Sequence, residues 1–280
     1  MQTTPLIHGQ IDVFEAIVLG MVQGIAEFLP ISSRAHLILI PWLFGWPDPG
    51  LTFDVALHLG TLIALLLYFW KDWVDLTLSA FKLLNADIKD TDSRLALYII
   101  LATIPGGIAG LLFEQLEDQI STPSVVAASL IGVAILMRMA EVQGRRKTDF
   151  ETMRLADALT IGVAQAFAII PGVSRSGVTI TAGLFRGLTR PSAAEFSFLL
   201  SAPIVGGAAA KKLIDIARDG LPPGQELPFV VGTIVSALVG YICLAGLIRY
   251  LKGHTTFVFI NYRIALGIIV LALGYFWNMQ

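Results

Sequence analysis

The sequence predicts an all-α polytopic membrane protein, in which six transmembrane helices and two re-entrant helical hairpins form a single membrane domain over residues 1–280. Three observations carry this prediction. Hydrophobic residues make up 55% of the chain and charged residues only 14%, whereas soluble domains carry about 25% charged residues. Apolar runs close to the roughly 20 residues that cross a bilayer recur along the chain. Two further apolar segments are each interrupted by a polar motif.

The same composition excludes several partners and sites. A formal net charge of -2, without a concentrated basic face, argues against nucleic acid as a partner. The single cysteine, Cys243, lies in an apolar run, so one chain can form neither a disulfide nor a thiolate metal cluster. The first residues lack the features of a cleaved secretory signal, so the first apolar run is expected to stay in the mature protein. The chain is therefore predicted to lie in the membrane bilayer. Its sequence also permits a homodimer.

Six uninterrupted apolar runs with charged flanks are predicted to cross the membrane. Tryptophans near their ends, Trp70 and Trp73 among them, are typical of membrane interfaces. The six runs cover about residues 51–69, 94–113, 123–140, 191–210, 227–249 and 261–278.

Two other apolar segments contain a break. Between Asp12 and Trp46 the break is PISSRAH, which begins at Pro30, and between Leu155 and Leu188 it is PGVSRSG, which begins at Pro171. Unpaired backbone at membrane depth is tolerated only inside protein or beside a water-filled cavity. Both segments are therefore predicted to be re-entrant hairpins rather than pairs of complete spans.

The two breaks are related by an internal repeat. The segment GMVQGIAEFLPISSR aligns with GVAQAFAIIPGVSRS at a shift of 142 residues. Each half of the chain, about residues 11–140 and 155–278, then holds one hairpin followed by three spans. An odd number of crossings reverses the second copy, which predicts an inverted-topology repeat of the kind found in many transporters. The aligned pairs include Gly20 with Gly162, Gln23 with Gln165, and Ser32 with Ser174.

Lysine and arginine residues gather on one face of this predicted topology. That face collects 14 of them, Arg263 included, whereas the other face collects only Lys211, Lys212 and Arg218. Basic residues concentrate on the cytoplasmic side of membrane proteins. Because both ends of the chain fall on the poorer face, both termini are predicted to lie outside the cytoplasm.

Glu27 is the first candidate for chemistry. Gln23 and Glu27 lie four residues apart and so share one face of the helix before the first break. A carboxylate inside a membrane is costly and normally faces a cavity, a metal or a cation, which favours a functional role. The plain structural alternative is that Glu27 caps the broken backbone or pairs with Arg34.

Ser32, Ser33 and His36 follow within the first break. Serine is a favoured N-cap where a helix restarts, so one of the two serines is expected to cap the second half-helix. The other hydroxyl would lie beside His36, which can move a proton, and beside Glu27, which can activate a nucleophile or hold a cation. This set of residues leaves open whether Ser33, His36 or an activated water attacks the substrate.

The second break places small residues, two hydroxyls and one guanidinium at the start of a half-helix, which suits an anion. Backbone N–H groups and the helix dipole favour phosphate there, and Arg175 can add a bidentate contact. The alternative is that Arg175 only forms a structural ion pair with Glu27. The candidate substrate-binding residues are Arg175, Ser32, Ser174, Ser176 and Gly177.

Asp54 and His58 share a helix face at the head of the first full span and could support the site. A plainer interpretation is favoured for both residues. Asp54 would be solvated near the outer interface, and His58 would be satisfied by a neighbouring helix.

The two broken motifs together identify a family resemblance. QGIAEFLPISSRAHL, followed by PGVSRSGVTI, resembles the undecaprenyl pyrophosphate phosphatase family, also called the bacitracin-resistance protein BacA family. The likeness covers nearly the whole chain and includes FDVALHLGTLIA and FSFLLSAPIVGGA. Two features are notable: Gln23 stands where the family has Glu or Gln, and Arg34-Ala35 stands where Thr-Gly or Ser-Gly is usual. The additional cation would alter phosphate contacts or metal affinity.

The resemblance implies hydrolysis of undecaprenyl diphosphate to undecaprenyl phosphate and inorganic phosphate, which recycles the lipid carrier for peptidoglycan synthesis and gives bacitracin resistance. By motif match, Gln23 and Glu27 would belong to a divalent-metal and activation site, with Mg2+ or Ca2+ as the cofactor. Ser33 and His36 would belong to the catalytic set, and Arg175 to the phosphate. The family also implies the bacterial cytoplasmic membrane, with the site and both termini on its periplasmic or extracellular side.

A polyprenyl-phosphate flippase or transporter is the alternative function. Inverted repeats with broken helices at mid-membrane are a transporter architecture, and fold alone does not decide between transport and hydrolysis. Phosphate release from a polyprenyl diphosphate distinguishes the two.

Overall fold

The computed structural model describes residues 10–83, 88–120, 122–221 and 223–277, and this part of the chain is helical, without a β-strand. The predicted all-α class is confirmed. The helices are α1 (Val13–Phe28), α2 (Ser33–Phe44), α3 (Gly50–Tyr68), α4 (Trp70–Lys82), α5 (Thr91–Ile120), α6 (Pro123–Gln143), α7 (Leu155–Ala166), α8 (Arg175–Phe185), α9 (Arg190–Asp219), α10 (Glu226–Leu251) and α11 (Phe257–Trp277).

Six of these helices, namely α3, α5, α6, α9, α10 and α11, are long and apolar enough to cross a membrane. They coincide with the six predicted spans, which confirms a multi-pass membrane protein. Their ends differ by several residues from the prediction, since α9 continues to Asp219 and α11 begins at Phe257. The predicted end of the last span, residue 278, lies outside the described residues.

The amphipathic helix α4 was not predicted. Its apolar side chains Trp70, Val74, Leu78 and Phe81 recur at helical spacing and are all exposed, while charged residues lie between them. An exposed apolar stripe on a short helix with a charged face is typical of a helix lying in the membrane interface. The sequence prediction covered only its tryptophans, as interface anchors.

The two broken segments fold into short helices on either side of each break. Helices α1, α2, α7 and α8 contain 16, 12, 12 and 11 residues, fewer than the roughly 20 that a span requires. A short 3-10 turn at Phe167–Ile169 extends α7 towards the second break. Each segment thus has the helix lengths expected of a re-entrant hairpin, although its position in a bilayer stays a prediction.

Aligned positions of the two halves have similar surroundings. A Cβ atom at Gly20 would lie 2.9 Å from the Gly232 carbonyl oxygen on α10, and one at Gly162 would lie 2.4 Å from the Ala102 carbonyl oxygen on α5. Each hairpin therefore packs its first helix tightly against the middle span of the other half. This agreement supports a repeat, and its inverted orientation stays a prediction.

Close packing on α10 also fixes the helices that carry the candidate site. A Cβ atom at Gly24 would lie 2.7 Å from the Gly240 backbone nitrogen, and one at Gly60 would lie 2.3 Å from the Thr233 carbonyl oxygen. Small residues allow such close approach of helices in a membrane. Glu27 lies on α1 and His58 lies on α3. The two helices that position these side chains therefore both pack closely against α10.

Arg263 joins the two breaks in the protein interior. Its side chain is 0% exposed, and its guanidinium donates hydrogen bonds to five backbone carbonyl oxygens. The sequence prediction that counted Arg263 among the basic residues of the cytoplasmic face is therefore wrong. Since α11 begins at Phe257, Arg263 lies in its second turn, among packed helices. The carbonyl oxygens belong to Pro30 in the first break, Gly172 and Val173 in the second, and Ser129 and Leu130 on α6.

Candidate active site

The two breaks meet at a polar cavity of about 300 Å³. Its wall combines both breaks with the first half of α3 and the later parts of the spans α5 and α9. The cavity brings together Glu27 and Arg175, which are 148 positions apart in the sequence. Its charged and polar lining residues are Glu27, Ser32, Ser33, Arg34, Asp54, His58, Gln165, Ser174 and Arg175.

Glu27 is the centre of the hydrogen-bond network in this cavity. Its Oε2 atom accepts hydrogen bonds from the Ser33 hydroxyl at 2.7 Å and from Gln23 Nε2 at 3.0 Å. His58 Nε2 lies 3.6 Å from the same oxygen, and Arg175 forms an ion pair with Oε1. The predicted neighbourhood of Ser33 and Glu27 is present, and so is the alternative ion pair between Arg175 and Glu27.

Ser32 performs the capping role predicted for one of the two serines. Its backbone has φ 77, and its side chain accepts a hydrogen bond from the Ala35 N–H at 3.3 Å. A non-glycine residue at positive φ is uncommon and persists only where the surroundings fix it. The cap releases Ser33 as the first helical residue of α2, with its hydroxyl in the cavity.

The second break repeats this geometry. Ser174 has φ 70 and accepts a hydrogen bond from the Gly177 N–H at 3.1 Å. Ser176 directs its hydroxyl to the Glu27 and Leu29 carbonyl oxygens, each at 3.3 Å. Ser176 therefore links the second break to the end of α1, whereas the Gly177 N–H donates to Ser174 within its own break. Neither residue belongs to the cavity lining. Of the predicted substrate-binding residues, Arg175, Ser32 and Ser174 do line it.

His36 is a predicted catalytic residue that the structure places outside the cavity lining. Its Nδ1 atom lies 2.7 Å from the Ser32 carbonyl oxygen, and its Nε2 atom lies 2.7 Å from the Tyr262 hydroxyl. The imidazole also stacks on the Tyr262 ring, with centroids 5.7 Å apart. These contacts favour a role for His36 in joining α2 to α11.

His58 is the imidazole that faces the cavity. Its Nδ1 atom lies 2.7 Å from the Asp54 carbonyl oxygen, which leaves Nε2 directed towards Glu27. The Asp54 carboxylate forms an ion pair with Arg34. The sequence favoured a solvated Asp54 and a His58 satisfied by a neighbouring helix. In the structure, both residues instead line the cavity. Their four-residue spacing on α3 was the available signal.

Gln165 is a further cavity residue to which the sequence analysis assigned no role. It is 3% exposed, and neither of its amide atoms has a hydrogen-bond partner within the described part of the chain. The signal for it was the alignment of Gln165 with Gln23 in the internal repeat.

The residues present suit a divalent cation only if the substrate completes its coordination. Within the described ranges, no group of three or more His, Cys, Asp and Glu side chains could hold a metal. Mg2+ commonly binds one or two carboxylates together with substrate phosphates and water. Glu27 supplies a carboxylate, and the neighbouring Gln23 has a buried amide oxygen without a partner in the described structure. This donor set fits a metal that arrives with a phosphate ligand.

The fold and the cavity define a polytopic α-helical membrane protein whose intramembrane charges converge on one internal polar site. A family model described as bacitracin resistance protein BacA matches residues 16–269. The chain is similar to an undecaprenyl-diphosphatase of Moorella thermoacetica, at 47% identity over 266 residues that cover 95% of this chain and 98% of that protein. An undecaprenyl-diphosphatase of Geotalea daltonii is 48% identical over 264 residues, which cover 93% and 97% of the two chains.

The chain belongs to the BacA family. The match extends from α1 to α11 and therefore includes both breaks and the cavity between them.

Proposed function

We propose that this protein hydrolyses undecaprenyl diphosphate to undecaprenyl phosphate and inorganic phosphate, and so recycles the lipid carrier of peptidoglycan synthesis. The observation that carries the proposal is the Ser33 hydroxyl, which donates to Glu27 at 2.7 Å in a cavity that also contains Arg175. A nucleophile, a base and an anion-binding guanidinium are the groups that phosphoryl transfer requires. The curated relatives carry the name of this activity.

Ser33 is proposed to attack the terminal phosphorus. As its oxygen bonds to that phosphorus, its proton passes to Glu27, and the bond from the phosphorus to the bridging oxygen breaks. The bridging oxygen leaves with the electron pair as part of undecaprenyl phosphate. Glu27 passes its proton to the leaving phosphate or to solvent and becomes a carboxylate again. Water then attacks the phosphoserine and gives a proton to Glu27 while the bond from phosphorus to the Ser33 oxygen breaks. Glu27 returns that proton to the Ser33 oxygen, and inorganic phosphate is released. Direct attack by a water held at Glu27 gives the same products in one step.

Arg175 and the helix termini are proposed to hold the transferred group. The first turns of α2 and α8 both begin at the cavity, and the N-terminus of a helix favours phosphate. Phosphate competes with Glu27 for the Arg175 guanidinium, so substrate binding would loosen their ion pair. That exchange frees Glu27 to accept the Ser33 proton when the substrate is in place.

A divalent cation, Mg2+ or Ca2+, is proposed as the cofactor. Glu27 and Gln23 would hold it, with phosphate oxygens completing its ligands, and it would neutralise charge on the diphosphate. Glu27 would then act both as a ligand and as the proton acceptor for Ser33.

The function is tested by phosphate release from undecaprenyl diphosphate by the purified protein in detergent, with and without divalent cation. We expect release only with the cation. Release that persists in excess chelator would overturn the metal proposal alone. No release under any metal condition, together with lipid transport in vesicles, would replace hydrolysis by the flippase alternative.

Arg175→Lys is expected to lower kcat/KM by about tenfold to a hundredfold, although it keeps the positive charge. A guanidinium can hold two phosphate oxygens in one plane, and an ammonium group cannot. The measurement is steady-state phosphate release at saturating metal. Arg186→Lys is a matched control, because Arg186 pairs with Asp157 outside the cavity and its replacement should leave turnover unchanged.

The proposed orientation places the cavity and both termini on the periplasmic or extracellular side of the bacterial cytoplasmic membrane. The later parts of the spans α5 and α9 line one cavity, which supports a common direction for these two helices. With that direction, α7 and α8 would return to the face they left, as a hairpin does. Without the buried Arg263, the basic residues still divide 13 to 3 between the two faces of the predicted topology.

Reporter fusions test this orientation. A periplasmic reporter fused after residue 280 is expected to be active, and a cytoplasmic reporter at the same site inactive. The reverse result would mean that one broken segment crosses the membrane completely. The homodimer that the sequence permits also stays a prediction, which detergent-corrected mass measurement can test.

A further inference from the structure

The Gln165 side chain is a buried polar group without a structural role that explains it. It lies on α7, six positions before Pro171 at the start of the second break, and lines the polar cavity. A buried amide that makes no hydrogen bond destabilises a protein, by about 1–3 kcal/mol for each unsatisfied group. Such a residue persists where a ligand supplies its missing partner.

Gly106 provides the room for this amide. A Cβ atom at position 106 would lie 3.1 Å from Gln165 Nε2 and 3.3 Å from its Cγ atom, closer than such atoms normally approach. Gly106 also lines the cavity. The glycine on α5 and the glutamine on α7 thus form one closely packed part of the cavity wall, in which the amide is buried without a partner in the described structure.

A second, apolar cavity of about 280 Å³ adjoins this wall. It shares Ala166, Ile169 and Ile170 with the polar cavity, so the two cavities adjoin at the end of α7 and along the segment that follows it. The remaining lining residues are Ala109, Phe113, Ile120 and Phe167. Phe113 and Phe167 are also exposed on the surface, with Phe167 57% exposed, so this side cavity reaches the lipid-facing surface of the protein.

We propose that Gln165 binds the lipid-linked phosphate of the substrate and that the first isoprenoid units occupy the side cavity. The proposal rests on the proposed diphosphatase function and adds the direction in which the substrate lies. Gln165 is adjacent in sequence to Ala166, where the polar and apolar cavities join, and a lipid diphosphate changes from charged to apolar at its lipid-linked phosphate. The terminal phosphate then lies at the other side, with Ser33 and Arg175.

The chemistry of the amide agrees with this placement. Nε2 can donate to a phosphate oxygen, and Oε1 can accept from a water or a metal-bound water beside it. The apolar wall beyond Ala166 suits a prenyl chain, because moving that chain out of water or headgroups is favourable. An amide at the junction recognises the ester-linked phosphate without adding a charge next to the lipid.

Gln165→Met separates a ligand-binding role from a structural one. Methionine has a similar length and removes both unsatisfied polar atoms, so the melting temperature in detergent should stay the same or rise. In contrast, kcat/KM for undecaprenyl diphosphate should fall about tenfold to a hundredfold, the value of a hydrogen bond to a charged group. Unchanged kcat/KM, or a loss of activity that follows a lower melting temperature, would overturn the role of Gln165.

Product inhibition tests which of the two phosphates of the substrate Gln165 binds. In Gln165→Met, the inhibition constant of undecaprenyl phosphate should rise about tenfold, while that of inorganic phosphate should stay within about twofold of the original protein. A rise for inorganic phosphate alone would place Gln165 at the terminal phosphate and reverse the proposed direction.

Ala109→Phe tests the side cavity. Ala109 lines the side cavity and not the polar one, so the larger ring should raise KM for undecaprenyl diphosphate at least tenfold. Dimethylallyl diphosphate, whose single isoprenoid unit would lie beside Ala166 at the entrance of the side cavity, should keep its kcat/KM within about threefold. Ile108→Phe, one residue away and exposed to lipid, is the matched control and should change neither substrate.

These outcomes distinguish a failure of the proposed substrate placement from a failure of the proposed function. Equal losses for both substrates, or no loss for undecaprenyl diphosphate, would overturn the placement of the chain. An original protein that hydrolyses neither substrate would instead reject the proposed function itself.

Discussion

Ser33→Ala is expected to lower turnover at least a thousandfold while the protein still binds undecaprenyl diphosphate. The variant removes the oxygen that attacks phosphorus, but Arg175, Gln23 and the N-termini of α2 and α8 remain in place. Residues that act together in a nucleophilic step are each indispensable, so loss of one abolishes most of the rate. Single-turnover phosphate release and equilibrium binding of the unreacted lipid, both at saturating metal, separate the two effects.

His36→Ala and Ser32→Ala are the informative comparisons for this variant. His36 lies outside the cavity lining and contacts Tyr262, so its replacement should lower stability more than turnover in the folded fraction. Ser32→Ala removes a helix cap at positive φ and should cost about 1 kcal/mol or more of stability. Substantial turnover in Ser33→Ala with none in folded His36→Ala would defeat the serine mechanism and return His36 to the catalytic set.

Arg263→Met is expected to prevent stable folding or to destabilise the protein by about 3 kcal/mol or more. The substitution removes the donor from five backbone carbonyl oxygens. Three of them, on Pro30, Gly172 and Val173, lie in the breaks outside any helix, and each unsatisfied buried group costs about 1–3 kcal/mol. The measurement is thermal unfolding in detergent, together with the yield of monodisperse protein. Arg249→Met is the matched control, since Arg249 is exposed on α10 and its loss should change the melting temperature little.

Arg263→Lys adds a graded test. An ammonium group has three donors for five acceptors, so this variant should melt between the original protein and Arg263→Met. A lysine variant as stable as the original would show that the carbonyl groups find other partners.

The sequence predicted most of the charged and polar residues that meet in the cavity, and their roles stay predictions. Glu27, Ser33 and Arg175 were identifiable because a carboxylate, a hydroxyl and a guanidinium in broken membrane helices are costly without a purpose. The position of His36 was harder to predict, because His36 contacts Tyr262, which lies 226 positions away in the sequence. Contacts between residues so far apart cannot be obtained from the spacing within one motif.

The six spans were predictable because their apolar runs are long, whereas α4 was not. Charged residues between the apolar residues of α4 hide its stripe from a search for uninterrupted hydrophobic length. Arg263 was assigned to the membrane surface for a related reason. The span that contains it was predicted to begin at residue 261, which put Arg263 at the very start of that span. The helix begins four residues earlier, and this arginine lies inside the protein.

The position of Arg263 in the chain constrains the order in which the molecule can mature. Both breaks are synthesised well before α11, so their carbonyl groups must wait for an arginine in the final helix. Until then, the hairpins lack this bridge and are joined by fewer contacts, such as the hydrogen bonds from Ser176 to the Glu27 and Leu29 carbonyl oxygens. We therefore expect insertion of the final helix to complete the active site, and a ribosome stalled before residue 263 to leave an inserted protein of reduced activity.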